Sequence, residues 1–261
     1  MAAEDDLALL TRAVRSAGEV ALGYFGKARS WSKDDGTPVS EGDLAANDRL
    51  QDILCGARPD YGWISEENER TGHGKAFSFI VDPIDGTRAY MGGKPLWTVV
   101  AAVLREGRPV ASAIYRPVTD TLYGATLGGG STRDGRPIRV SGRRELKGGR
   151  IAMPAALYHE AGFEAAGLER ANWVASLALR LAKAGEGRLD AVITKHGPHH
   201  WDLAAADLLV HEAGGTLTTL TGETLNYAAE TTSHGPVFAG TPDIADRLRA
   251  MAAAHDPAAR A

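Results

Sequence analysis

The chain has a single cysteine, Cys55. That excludes an internal disulfide and any multi-cysteine zinc or iron–sulfur site, and it fits a reducing compartment. Long apolar runs are also missing: the longest, Val99 to Leu104, has six residues, against the ~20 needed to cross a bilayer. No stretch concentrates Lys and Arg. With 29 basic and 33 acidic side chains the formal charge is −4, so nothing compensates the phosphate charge of a polymeric nucleic acid. The first residues, MAAEDDLALL, carry acids where a secretory leader would carry Lys or Arg. A fixed-period repeat, a low-complexity tract and a flexible linker are all lacking. Together these absences predict a cytoplasmic protein whose partners are neither membranes nor polymeric nucleic acids.

What remains is globular material: 44% hydrophobic and 24% charged residues over 261 positions, enough for one large core or two small ones. Leu7, Leu10, Val14, Ala17, Ala21 and Phe25 recur at helical steps and predict a first helix over 5–25. Ser40 followed by Asp43 resembles a capping box and opens a second helix through Ala57. Runs rich in β-branched and aromatic residues at 63–65, 77–81, 97–104, 110–116 and 121–126 then predict sequential strands of an antiparallel sheet. The Gly128-Gly129-Gly130 run lacks the Lys and Ser/Thr of a nucleotide loop and reads as a turn between strands.

Beyond about 141 the rhythm alternates. Strands are expected at 150–153, 190–194, 216–220 and 236–239, and helices near 159–166, at 173–184 and 203–213, and from 241 onward. The expected division is an N-terminal α+β subdomain over 1–140, carrying the principal acidic loop, and a C-terminal α/β subdomain over 141–261.

The most informative string is Ile80-Val81-Asp82-Pro83-Ile84-Asp85-Gly86-Thr87. An apolar strand ends there in two carboxylates three residues apart. Pro83 fixes the chain between them, Gly86 permits close backbone approach, and Thr87 begins a segment whose free amides suit an anion. Glu66 and Glu67 end another apolar strand, and Asp202 follows Trp201 at the start of a predicted helix. Singly, each is accounted for by a turn or an N-cap. Gathered within ~4 Å, each like-charge pair would cost on the order of 4 kcal/mol at an effective dielectric of 20, and a divalent cation becomes almost obligatory. All-oxygen ligation favours Mg²⁺ or Mn²⁺ over zinc and leaves positions for water and a phosphate oxygen, the chemistry of phosphoryl transfer.

Taken together, Glu66-Glu67, Asp82-Pro83-Ile84-Asp85-Gly86-Thr87, Trp201-Asp202-Leu203-Ala204-Ala205, Gly187-Arg188-Leu189-Asp190-Ala191 and Glu212-Ala213-Gly214-Gly215-Thr216 resemble the inositol monophosphatase superfamily over most of the chain. The resemblance implies a layered αβαβα sandwich and a Mg²⁺-dependent, lithium-sensitive phosphomonoesterase that forms a homodimer. Carried onto this sequence, it places a first metal on Glu66, Asp82 and the Ile84 carbonyl, and a second on Asp82, Asp85 and Asp202. A third, weaker ion would lean on Glu66 and water. Glu66 and Thr87 would help remove a proton from the attacking water, and the amides of Gly86 and Thr87 would hold the phosphate. Asp43 falls where the family keeps an acid for a third metal or a water, and Lys33 resembles a family lysine near the metals.

The metal motif reads only the phosphate, so the substrate stays open among 3′(2′),5′-bisphosphate nucleotides, inositol phosphates, histidinol phosphate and sugar bisphosphates. The stretch Tyr61 to Glu67, Arg88-Ala89-Tyr90 and the helix from Trp201 look most similar to bacterial bisphosphate nucleotidases. Lys94, Lys195, His199 and His200 are the expected contacts for a second phosphate. Inositol-1-monophosphatase and histidinol-phosphatase are the alternatives, and a catalytically silent phosphate-ligand binder is the non-enzymatic one. A zinc reading of His199-His200 lacks a third ligand. Asp207 stands where many relatives have glycine, which predicts different crowding along that helix.

Overall fold

The computed structural model describes residues 2–34, 36–68, 70–72 and 74–255, with residues 2–4 by backbone alone. Two helices, α1 (Ala2–Tyr24) and α2 (Glu41–Ala57), flank a small hairpin of β1 (Ser30–Ser32) and β2 (Pro38–Ser40). There follow β3 (Gly62–Ser65), β4 (Phe77–Asp85), the short α3 (Thr87–Met91), β5 (Thr98–Arg105), β6 (Arg108–Arg116), β7 (Thr121–Thr126), β8 (Gly130–Arg133) and β9 (Arg136–Pro137). The remainder alternates through β10 (Arg150–Ala152), α4 (Ala155–Glu160), β11 (Glu169–Arg170), α5 (Leu177–Gly185) and β12 (Ala191–Ile193). It closes with α6 (His200–Glu212), β13 (Thr216–Thr219), β14 (Val237–Gly240) and α7 (Pro242–Ala253).

Strands β3 to β9 form one seven-stranded sheet in sequence order, and the second sheet runs β11-β10-β12-β14-β13. Period-two alternation sends successive residues of the first sheet to opposite cores. Phe79, Val81, Val99, Ala101, Val103, Ala111 and Ala113 pack on α1 and α2 with Leu10, Val14, Leu50 and Leu54. Their neighbours Ile80, Val100, Ala102, Leu104 and Ile114 face Leu179, Leu203, Leu208 and Leu209 of α5 and α6. The other side of that helix layer meets Ala152, Val192, Leu217 and Ala239 of the second sheet, whose far face is covered by Ile244 and Leu248 of α7 and Tyr158 of α4. Helices, sheet, helices, sheet, helices: the layered αβαβα sandwich is present. Among the described residues no helix is long and apolar enough to cross a membrane.

Several local expectations change. The first sheet is antiparallel except for β3 and β4, which run parallel; the chain after β3 doubles back, pairing Thr71 with Trp63 in an antiparallel bridge, before it enters β4. The helix expected over 173–184 starts at Leu177, where Ser176 Oγ accepts the Leu179 amide at 2.9 Å. The helix near 159–166 starts earlier, after Pro154, and is spent before Gly162, whose φ of 75° suits a turn. The helix holding Asp202 begins at His200, so Asp202 is its third residue and not its cap.

Helix α2 has the reciprocal cap its sequence promised. The Ser40 backbone N–H and its hydroxyl both donate to Asp43 Oδ2, at 2.9 and 2.5 Å. Gly42 sits just before that acid because an added Cβ would overlap the Tyr90 hydroxyl, which is itself anchored by donating to the Ala21 carbonyl at 2.7 Å. Helix propensity alone favours alanine at such a position by ~1 kcal/mol. Overpacking outweighs it, so Gly42→Ala is expected to lower stability by about 1–3 kcal/mol, read from the midpoint of urea unfolding.

Candidate active site

The acids of β4 converge through a bulge. Asp82 pairs with Val100 and Asp85 with Thr98, so three steps on β4 answer two on β5. On a regular strand, residues three apart face opposite sides. The extra residue restores them to one side, and Asp82 Oδ1 accepts the Ile84 amide at 3.0 Å to hold the bend. Asp202 arrives from the first turn of α6, its Oδ2 accepting the His199 amide at 2.6 Å. Carboxylate oxygens of Asp82, Asp85 and Asp202 lie within 4.8 Å of one another.

Asp85 is held from the other side by α5. Its Oδ1 accepts the Leu177 amide at 3.0 Å, and its Oδ2 accepts the Ala178 amide at 2.7 Å and the Ser176 hydroxyl at 2.5 Å. Those amides belong to a first helical turn, where no intrahelical carbonyl is available to them. Thr98 Oγ1 adds a donor to Oδ2 at 3.3 Å. Ser176, Thr98 and the two α5 amides were not singled out from sequence. The available signal was a Ser three residues before Leu179 at the head of an apolar-periodic run.

Thr87 closes the loop. Its Oγ1 lies 3.0 Å from the Ile84 carbonyl oxygen and 3.2 Å from Asp43 Oδ1, so its one proton serves one acceptor at a time. Gly86 precedes it with φ of 100°, in the left-handed region that favours glycine; a Cβ there would stand 3.0 Å from the Leu96 carbonyl oxygen. Lys33 reaches in from the loop after β1. Its Nζ lies 2.8 Å from Glu67 Oε2 and 3.7 Å from Glu66 Oε1, and donates to the Glu66 carbonyl at 3.2 Å.

The electrostatics are those of an under-compensated acid cluster. Burial, with the Glu67 and Asp202 charges added and only Lys33 opposing, lifts Glu66 to about 8. Asp202 is lifted to about 7, first by burial and then by Asp85. Asp82 rises well above the carboxylate range through burial and the fields of Glu66, Asp85 and Asp202. Burial also raises Asp85 and Asp43, with their hydrogen bonds pulling the other way. On Lys33, burial is outweighed by the Glu67 hydrogen bond and the surrounding acids, so its affinity for the proton increases. Buried carboxylates that hold protons at neutral pH for want of positive charge, and an ammonium drawn in among them, suit an all-oxygen site for a hard divalent cation.

The residues expected to contact substrate divide. His199 stays next to Asp202 through its backbone, its ring stacked on Trp201 at 4.8 Å and its Nδ1 2.8 Å from Thr232 Oγ1. His200 does not face the acids. It is fully buried, and its Nε2 faces the Ala229 carbonyl at 3.1 Å. That nitrogen must carry the proton, so Nδ1 accepts from His234 Nε2 at 2.7 Å. Burial lowers the pKa of both rings, that of His234 to about 4. Lys195 is exposed and lines a separate cavity with Pro154, Leu157 and Leu220; Lys94 is also on the surface. Asp207 turns away from the acids, accepting the Tyr227 hydroxyl at 2.9 Å and pairing with Arg108 at 3.4 Å and His211 at 2.7 Å. Among the described residues the acidic trio is the one group of three or more potential ligands close enough to share an ion, and neither His199 nor His200 belongs to it.

Comparison with known proteins agrees with this arrangement. The model of the inositol monophosphatase family matches residues 3–255. An inositol-1-monophosphatase of Mesorhizobium japonicum is 34% identical over 91% of this chain and 92% of that protein. A histidinol-phosphatase of Chlorobaculum parvum is 33% identical over 80% and 84%. The crystal structure of the extragenic suppressor protein suhB from Bartonella henselae superposes with a TM-score of 0.84 at 30% identity, covering 95% of this chain and 98% of that one. The metal-suited acids, the sandwich that carries them and these matches have one meaning: the chain belongs to the inositol monophosphatase family, whose members are metal-dependent phosphoric monoester hydrolases.

Proposed function

We propose that this chain hydrolyses the phosphate monoester of a small molecule with Mg²⁺, or Mn²⁺ in its place, and that inositol 1-phosphate is its first candidate substrate. The observation that carries the reading is the buried meeting of Asp82, Asp85 and Asp202. Glu66, Asp82 and the Ile84 carbonyl would hold one cation, and Asp82, Asp85 and Asp202 another; a third, weaker ion would use Glu66. When bound, the cations supply charge neutralisation and lower the pKa of the attacking water.

The protein's own groups do the rest. Thr87 Oγ1, donating to Asp43 Oδ1, can take a proton from the nucleophile as its own hydroxyl proton passes to Asp43. Burial makes Asp43 a stronger base than an exposed aspartate, and Glu66 is similarly poised near neutrality. The Gly86 and Thr87 amides would orient the phosphate. Lys33 neutralises Glu67 and leaves Glu66 for the cation. Lithium-sensitive turnover, a homodimer and a cytoplasmic location belong to the same proposal.

Of the four contacts expected for the second phosphate of a bisphosphate nucleotide, His200 is turned to the Ala229 carbonyl and His234, Lys195 lines another cavity and Lys94 lies on the surface, which leaves His199 beside Asp202. Inositol 1-phosphate takes first place because the 34% identical Mesorhizobium relative is named an inositol-1-monophosphatase. The test is phosphate release with Mg²⁺ from inositol 1-phosphate, 3′-phosphoadenosine 5′-phosphate, histidinol phosphate and fructose 1,6-bisphosphate. Inositol 1-phosphate is expected to lead by roughly tenfold or more in kcat/KM, about 1.4 kcal/mol of transition-state binding; a comparable lead for any other compound reassigns the substrate.

A further inference from the structure

One face of α5 holds a second charged cavity that the hydrolytic site does not use. Arg150, Asn172, Val174, Arg180, Lys183 and Arg188 line it, the space is about 280 Å³, and no acid contributes to its wall. Arg180 is the unusual member. Its side chain is 7% exposed, its Nε has no hydrogen-bond partner, and its guanidinium lies 4.1 Å from the centre of the Trp173 ring. The acid that caps the C-terminal end of α5, Glu186, is already taken by Arg133 at 2.9 Å, the Tyr123 hydroxyl at 3.1 Å and Arg188 at 3.3 Å.

A buried guanidinium without a hydrogen-bonded counter-charge is costly, because an unsatisfied charged donor loses its hydration. The Trp173 face returns only part of this. Asp85 and Asp202 act on Arg180 through space but form no ion pair with it, and those acids are committed to the hydrolytic centre. Lys183 lines the same cavity; burial and then Arg116 hold its ammonium below the usual lysine range, with Glu186 opposing. A forked donor and an ammonium in one cavity, without an acid, match the oxygens of a tetrahedral dianion.

We propose that this cavity binds a tetrahedral oxyanion, phosphate free or esterified, through Arg180 and Lys183, with Arg150 and Arg188 at its mouth. The site is separate from the acidic cluster and needs no divalent cation. It rests on Arg180 and its surroundings, and stands or falls independently of the hydrolytic reading.

The experiment uses the full chain in EDTA, where the catalytic acids repel anions and turnover is absent. Inorganic phosphate and glycerol 2-phosphate are titrated separately by calorimetry into the unmodified protein, Lys183→Ala and Arg180→Met. Saturable binding with one site is expected, weakened roughly tenfold in each variant. Binding of both compounds assigns free phosphate as sufficient, and binding of the ester alone assigns an esterified ligand. Lys183 is only half-buried, so its variant keeps the test alive if Arg180→Met fails to fold. Absence of saturable binding by either compound overturns the proposal, as does binding that Lys183→Ala leaves unchanged. A shift in oligomeric state on Arg180→Met without phosphate binding also overturns it, since Arg180 would then be satisfied by an acid of a second copy.

Discussion

Asp82→Asn is expected to cut cation-dependent phosphate release by at least ~10³-fold and, in the metal-free protein, to raise the unfolding temperature. The two effects have one cause. Asp82 is 1% exposed, amid Glu66, Asp85 and Asp202, and without a cation its charge is a liability. An asparagine amide oxygen can still accept the Ile84 amide that holds the bulge, so the backbone has no reason to move. Asp85→Asn would also stop turnover, but at a structural cost. Its new NH₂ would confront the Leu177 and Ala178 amides or the Ser176 hydroxyl, donors facing a donor. Steady-state phosphate release beside calorimetric melting in EDTA separates the two variants. Retained turnover in Asp82→Asn would remove the shared-cation assignment.

Between about pH 6 and pH 8 the apparent Mg²⁺ affinity is expected to climb roughly fiftyfold at the position that uses Glu66 and roughly tenfold at the one that uses Asp202. Glu66 sits at about 8 and Asp202 at about 7 in the metal-free site, so over this window a cation must displace protons that are already bound. The stability of the metal-free protein has the opposite slope. Glu66 rises from 4.5 to about 8 and Asp202 from 3.8 to about 7 on folding, so the folded state binds more protons than the unfolded one. That contribution is fully present below the unfolded values and is lost as pH rises through the folded ones. Melting temperatures in EDTA should therefore fall from about pH 5 to pH 8, and saturating Mg²⁺ should recover most of the loss at the alkaline end. Titrations in buffers of different ionisation enthalpy will count the protons released. A pH-independent affinity would mean that these acids are ionised before the cation arrives.

Much of this was legible from residues alone. The α1 stripe, the Ser40–Asp43 cap and the run of strands from 77 to 126 are local signals, and they appear where their periodicity put them. The three acids were legible because each lies within three residues of the end of an element with a strong pattern of its own. What escaped depends on distant parts of the chain. No window of residues reveals that β4 bulges between Asp82 and Asp85, since the bulge is defined by its register with β5. The α5 amides serve Asp85 from more than ninety positions away. The direction of His200 was decided by His234 and the Ala229 carbonyl, neither of which its sequence neighbours announce. Strands as short as β9 and β11, two residues each, carry too little pattern to read.

The pairing of Asp85 with the first turn of α5 also provides an internal reporter. The Leu177 and Ala178 amides are shielded by a carboxylate from another layer of the sandwich, not by their own helix. Their hydrogen–deuterium exchange should therefore follow the docking of the β4 loop onto α5, while amides later in α5 follow opening of the helix itself. A variant or ligand that loosens the loop after β4 would speed exchange at these two positions first.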